Sequence, residues 1–375
     1  MLFIGLMSGT SLDGIDGVVA EFTPQPLGTG LALSVKTLSF YSADFHPHLR
    51  AELFALQSEQ PDELNRAMVA ANALAYAYAD VVKALLLKSG LSANAITAIG
   101  AHGQTIRHQP SNGYTVQLMN GALLAELTAV DVVCDFRSGD IAAGGQGAPL
   151  APSFHHEVFA STTENRAIVN IGGIANVSHL INGQHPVGFD TGPGNVLMDF
   201  WCQTHLGTPF DAGGAWAQSG AINEGLLKRF LSEPYFSLPA PKSTGRDLFN
   251  SLWLERMMAT SSASASPASK PIAPQDVQAT LAELTAITIT RELAGCKTFI
   301  AGGGARNRFL MERIEAHNKT QFKVESTAAL GADTQSLEAL AFAWLASQRI
   351  NRLTGNLPSV TGAKRPKILG ALYCS

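Results

Sequence analysis

Residues 2–22 read LFIGLMSGTSLDGIDGVVAEF: an apolar run from Leu2 to Met7, a polar glycine-bearing stretch, and a second apolar run beginning at Ile15. Two short apolar segments flanking Ser, Gly and Asp predict a β-hairpin, because those residues accept the turn conformations that strand formers resist. The layout returns where the apolar strand Ala167–Ile171 enters Gly172-Gly173 and continues as IANVSHL. A third apolar strand, Lys297–Ala301, runs into Gly302-Gly303-Gly304, and the stretch Asn307–His317 that follows spaces Phe309, Leu310 and Ile314 as a helix would. Backbone N–H groups converge in such turns and glycine allows close approach, so turns of this kind can cradle phosphates. Any one of them reads equally as a plain tight turn; two hairpins and a Gly-Gly-Gly turn together suit a nucleotide held in a cleft between two halves.

The segments between these turns alternate helix and strand. PDELNRAMVAANALAYAYADVVKALLLK, Pro61 to Lys88, predicts a long amphipathic helix ended by Ser89-Gly90. Ala95–Ala101 predicts a buried strand and Asn120–Thr128 a helix, and the second half is expected to begin near Val130–Phe136; helices are also expected over Val277–Leu293 and Leu337–Ile350. Thr260–Pro274 is rich in Ser, Ala and Pro and reads as a surface loop.

Composition narrows the class. Apolar residues make up 46% of the 375 and charged residues 15%, which excludes a disordered chain. Twenty-six Lys and Arg against 30 Asp and Glu leave a net charge of −4 without basic runs, so a small-molecule partner is expected in place of nucleic acid or a membrane surface. Cys134, Cys202, Cys296 and Cys374 lie far apart, which suggests neither a disulfide framework nor a zinc site and fits a reducing cytoplasm. The start MLFIGLM is too short for a secretory segment, and no run of about 18 apolar residues is read elsewhere, so neither secretion nor a membrane span is expected. The P-loop and dinucleotide fingerprints are both absent.

Longer motifs are more specific: MSGTSLDGID at Met7–Asp16, GAHGQTIRHQP at Gly100–Pro110, RSGDIAAGGQGAPLAP at Arg137–Pro152, NIGGIANVS at Asn170–Ser178, GFDTGPGN at Gly188–Asn195 and AGGGARN at Ala301–Asn307. With these the chain resembles the anhydro-N-acetylmuramic acid kinases of the sugar-kinase, Hsp70 and actin superfamily. The resemblance implies an α/β, two-lobed, ribonuclease H-like fold with a nucleotide cleft. Its first lobe is expected over 1–130, joined by a segment near 351–375, and its second over 131–350. The implied reaction uses ATP and Mg²⁺ to open 1,6-anhydro-N-acetylmuramic acid with water and phosphorylate O6 during recycling of cell-wall fragments; a cytoplasmic homodimer is implied as well. A nucleotide-gated binding module and an ordinary hexose kinase are the alternatives.

Asp190 ends an apolar approach and opens a Thr-Gly-Pro-Gly turn. On spacing it reads as a turn cap or as a carboxylate at a strand end; the resemblance makes it the general base for the attacking water. By the same resemblance Gly9, Thr10, Ser11, Leu12, Asp13, Gly14, Ile15 and Asp16 hold the β- and γ-phosphates, with Asp13 or Asp16 near the metal, whose direct ligands stay unassigned. Asn170, Gly172, Gly173 and Asn176 form a second phosphate clamp, and Gly302, Gly303, Gly304 and Asn307 the adenosine side. Gln104, Arg137, Gln146 and Glu338 are expected to meet the sugar, an arginine suiting its lactate carboxylate because the planar fork binds both oxygens. His102, His108 and Trp344 read as packing residues.

Overall fold

The computed structural model describes the chain except Ser11, residues 25–32, Pro241, residues 264–270, Ala294 and the side chains of 260–263. The fold divides into two compact units, Met1–Ala160 with Gly331–Ser375, and Ser161–Leu330.

In the first unit β1 (Leu2–Met7), β2 (Ile15–Pro24) and β3 (Leu33–Ala43) form an antiparallel meander. β4 (Ile96–Ala101) joins the other side of β1 in parallel; β5 (Gln104–Gln109) and β6 (Tyr114–Leu118) make a separate hairpin, and β7 (Val132–Cys134) extends the sheet parallel to β4. A C-terminal strand, Ala371–Tyr373, closes that edge antiparallel to β7. β1 and β4 are covered on both faces, which is why they read as continuous apolar runs. Ile4 and Leu6 pack with Leu74, Tyr78, Val81 and Leu85 of the helix Glu63–Ser89. On the opposite face the helix Leu337–Ile350 lies so near that a Cβ on Gly5 would sit 1.9 Å from the Ala339 carbonyl oxygen, and one on Gly100 2.0 Å from that of Phe342. Only glycine permits that approach.

In the second unit β8 (Arg166–Ile171), β9 (Ile174–Leu180) and β10 (Val187–Pro193) form an antiparallel meander, with β11 (Lys297–Ala301) parallel to β8 and β12 (Glu325–Ser326) parallel to β11. The two sheets share one strand order: a three-stranded meander whose first strand is flanked by two further parallel strands. This repeated α/β unit is the expected actin, Hsp70 and hexokinase-like class. The core helix Pro274–Thr290 is buried along nearly its whole length. Within it the buried Glu283 accepts from Arg313 Nε at 2.6 Å and Nη2 at 2.9 Å, with His317 Nε2 at 2.5 Å.

Three expectations are corrected. Residues 131–160 and 331–350 belong to the first unit, because β7 pairs with β4 and the helix Leu337–Ile350 packs on β1 and β4. The expected loop at 260–274 is partly helical: the helix Ser251–Ala263 runs into it and another starts at Pro274, while residues 264–270 lie outside the described part. The helix Glu63–Ser89 is, by length and composition, apolar enough to cross a membrane. Its alanines raise its apolar character, but here its inner face forms the first unit's core.

Candidate active site

The turn after β1 is held from below by side chains. The carbonyl of Ser8 lies 3.1 Å from His102 Nδ1, that of Gly9 accepts from Gln104 Nε2 at 3.1 Å, that of Thr10 from Gln57 at 2.9 Å and that of Leu12 from Arg50 at 3.0 Å. Leu12 takes a left-handed φ of 57°. The turn's carbonyl dipoles are thus spent on its own scaffold. Leu12 and Ile15 are core residues and can offer a ligand only their backbone, whereas Thr10 and Asp13 are exposed; Ser11 lies outside the described residues. A Cβ on Gly14 would meet the Ala43 carbonyl oxygen at 2.7 Å. Asp16 is half-buried; burial raises its carboxyl, a hydrogen bond with Ser42 lowers it, the Asp13 charge raises it, and the net is upward.

The nitrogen Nε2 of His102 is 3.0 Å from Arg137 Nη2, which can only donate, so Nε2 accepts and Nδ1–H donates to Ser8. Burial, then the neighbouring guanidinium, push His102 down to about 3, which keeps the imidazole neutral. The expected packing role for His102 therefore has a second part: it links Arg137 to the turn. Arg137 also donates to the Gly147 carbonyl at 2.9 Å. Burial lowers Arg137 to about 10 and the charge of Glu338 raises it, so these two expected sugar contacts attract each other. Gln104 is wholly buried, and its Oε1 has no partner among the described residues. Gln146 is exposed, its backbone N–H bonded to Thr361. Buried Asp140 staples this loop to the C-terminal segment through Gly147 N–H, Asn356 and Thr361.

In the second unit the register pairs Asn170 with Asn176, and Asn176 with Asp190. Directly opposed residues share a sheet face, so the three polar side chains form one row across β8, β9 and β10. The row begins at the Gly302 turn, where a Cβ on Gly302 would stand 2.5 Å from Asn170 Oδ1 and φ is 82°. It ends at Asp190, immediately before a bulge in β10. Bulges re-aim side chains at strand ends. Burial raises the Asp190 carboxyl, and the Thr244 N–H and the Ser243 hydroxyl lower it, with a net rise above the ordinary carboxylate range. Those two groups reach Oδ2 at 3.0 Å and 3.2 Å.

Beside this row lies the Gly172-Gly173 turn, whose carbonyls accept from the backbone of Asn195, Gly194 and Val196. The guanidinium of the exposed Arg246 lies over it, Nη2 3.5 Å from where a Gly173 Cβ would stand. Among the described residues no acid forms an ion pair with Arg246, whose nearest acidic neighbour in sequence is Asp247. Asn307 caps the helix Arg308–His317 by accepting from Leu310 N–H at 3.0 Å. A Cβ on Gly214 would lie 2.1 Å from that same oxygen, so the Gly213-Gly214 turn also borders this region. No three acidic, histidine or cysteine side chains gather as metal ligands among the described residues.

Sequence reasoning missed two elements. One is Lys242–Arg246, KSTGR, which meets Asp190 and Gly173; its signal was a polar, glycine-bearing run with a cation at each end. The other is Asp211–Gly214, DAGG, a further glycine pair.

The repeated sheet, with a glycine turn after the first strand of each copy, defines a member of the sugar-kinase and actin-like class. The anhydro-N-acetylmuramic acid kinase family matches the chain over residues 1–375. The chain is 50% identical over 378 aligned residues to the anhydro-N-acetylmuramic acid kinase of Bordetella petrii, covering 99% of this chain and 96% of that protein. With that of Burkholderia orbicola it is 49% identical, covering 99% and 96%. Among solved structures, a ROK family glucokinase from Streptomyces griseus in complex with glucose and AMPPNP is 12% identical with a TM-score of 0.39, covering 93% of this chain and 100% of that one. The chain belongs to the anhydro-N-acetylmuramic acid kinase family, which sets aside the nucleotide-gated binding module.

Proposed function

We propose that this protein opens 1,6-anhydro-N-acetylmuramic acid with water and phosphorylates the released O6 from ATP, giving N-acetylmuramic acid 6-phosphate. The observation that carries the reading is the polar row ending in Asp190 next to a glycine turn overlaid by Arg246. Asp190 takes a proton from water as the water oxygen bonds to the anomeric carbon. The bond from that carbon to O6 breaks, O6 bonds to the γ-phosphorus, and ADP leaves with the electron pair of the broken P–O bond. Phosphoryl transfer of this kind rests on positioning and charge stabilisation, which glycine turns and a guanidinium supply.

Four features support ATP at these turns. The carbonyls of the first turn are occupied by His102, Gln104, Gln57 and Arg50, so they are not turned toward an anion. Arg246 brings positive charge to the second turn. Gly302 has the φ and the tight surroundings of a close-approach turn. Asp13 and Asp16 repel one another at the end of the first hairpin, which suits a cation there. Bound Mg²⁺ would supply neutralisation of phosphate charge. Arg137, oriented by His102 and drawn by Glu338, is assigned to the lactate carboxylate, with Gln104 and Gln146 nearby in sequence motifs of the same unit. Action as a homodimer in the cytoplasm belongs to the same reading.

The test is mass spectrometry of the sugar after incubation with ATP, Mg²⁺ and the anhydro-sugar in ¹⁸O-labelled water. A product carrying one phosphoryl group and one labelled oxygen at C1 supports the proposal. A phosphorylated product without the label would assign Asp190 to deprotonating a sugar hydroxyl, as in an ordinary hexose kinase.

A further inference from the structure

The segment Lys242–Thr244 touches Asp190 at three points. The Asp190 N–H donates to the Lys242 carbonyl at 3.0 Å, and Oδ2 accepts from Thr244 N–H and Ser243 Oγ. On the backbone side Tyr235 donates its hydroxyl to the Asp190 carbonyl at 2.6 Å. Gly245 then accepts from Leu248 and Phe249 N–H, which anchors the far end of the segment. One carboxylate oxygen is therefore used twice, while Oδ1 has no partner among the described residues. Thr244 Oγ1, on the residue whose N–H reaches Oδ2, is buried and likewise without a partner among the described residues.

We propose that Ser243 and Thr244 are positioning residues for the Asp190 base: they fix Oδ2, leave Oδ1 as the oxygen that takes the proton, and present the Thr244 hydroxyl to the attacking water or the sugar. An oxygen that already accepts two hydrogen bonds is the poorer proton acceptor of the pair, so the choice of oxygen follows from the geometry. The arrangement also fixes the direction of attack, because the carboxylate cannot rotate without breaking both bonds. This inference rests on the reading of Asp190 as the base.

The groups facing Asp190 are the hydroxyls of Ser243 and Tyr235, with Lys242 over the Tyr235 ring at 5.1 Å and 4.0 Å from Glu292. The test compares Ser243→Ala, Ser243→Thr and Thr244→Val with the parent protein, with Asp190→Asn alongside, in kcat, KM, pH profile and melting. Ser243 is exposed, so alanine there leaves packing intact. Removing its bond leaves burial less opposed, so in Ser243→Ala the acid limb of kcat/KM moves to higher pH and kcat falls roughly tenfold with little change in KM. Ser243→Thr restores both. Thr244→Val keeps the N–H bond and loses no protein partner, so its melting is unchanged while its kcat falls. An unmoved acid limb in Ser243→Ala, or full activity in Thr244→Val, overturns the proposal. If Asp190→Asn is dead while Ser243→Ala leaves the limb unmoved, only the positioning role is lost; if Asp190→Asn stays active, the base reading itself is wrong.

Discussion

Replacing Asp190 by asparagine isolates proton transfer from structure. The carboxylate's Oδ2 accepts from Thr244 N–H at 3.0 Å and Ser243 Oγ at 3.2 Å, and an asparagine whose carbonyl oxygen takes that place keeps both bonds. Its amide nitrogen then occupies the Oδ1 position, where it can donate but cannot take a proton. The backbone bonds to Lys242 and Tyr235 are untouched. Folding stability should therefore change little, while the general-base contribution disappears. That contribution is typically ~10²–10⁴-fold, or about 3–5 kcal/mol of barrier at about 1.4 kcal/mol per decade. The assay is ADP release with the anhydro-sugar, measured beside thermal melting and nucleotide binding. In the parent protein the acid limb of kcat/KM should lie above the ordinary carboxylate range, because burial raises the Asp190 carboxyl, and the limb should vanish in the variant. A variant that melts normally and keeps more than a tenth of the parent rate would refute the assignment.

Three further outcomes are expected. Gly100→Ala sets a methyl 2.0 Å from the Phe342 carbonyl oxygen and 3.1 Å from Ala346 Cβ; the helix must move, and urea unfolding should show a loss of ~1–3 kcal/mol. Glu283→Gln leaves Arg313 and His317 without their carboxylate. Burial raises the Glu283 carboxyl but hydrogen bonds from Arg313 and His317 outweigh it, so its folded value is depressed. Its stabilisation is present above the unfolded value of about 4.3 and is lost as pH falls through the folded one. The variant should thus lose ~1–3 kcal/mol at neutral pH, and the gap should close in acid urea melts. Arg246→Ala should lower kcat/KM for ATP roughly 10–100-fold through lost charged hydrogen bonds while melting stays the same; an unchanged kcat/KM would remove Arg246 from the phosphate turn.

What the sequence revealed was local. Leu2–Met7, Ile15–Phe22, Ala167–Ile171 and Lys297–Ala301 are apolar runs broken by glycine, and each is a strand because a strand buried on both faces has no polar side to disguise it. β3 alternates with polar residues along an edge, SVKTLSFYSA, and gave no comparable signal. The unit boundary was misread because the evidence for it is long-range: β7 belongs with β4 through strand pairing, and the helix at 337–350 packs against β1 at Gly5 and against β4 at Gly100. Asp190 was visible as the carboxylate closing an apolar run, but the expected turn after it is strand, since β10 continues through Thr191, Gly192 and Pro193; its side-chain partners lie 53 and 54 residues further on, and no spacing rule connects them. The row of Asn170, Asn176 and Asp190 likewise exists only in the sheet register.

The second unit is an insertion within the first, and the consequence is one of timing. A ribosome delivers β1 and β4 early, yet the helix that seals their glycine-marked face is encoded after residue 330. At about 5–20 residues per second, the stretch from the end of β4 at Ala101 to the start of the helix at Leu337 takes roughly 12–50 s. During that interval the later unit can complete itself while the earlier one waits with an apolar sheet face uncovered. The nascent chain is thus most dependent on holding chaperones in its first half, and a destabilising change in residues 337–350 should act on yield before it acts on the finished enzyme.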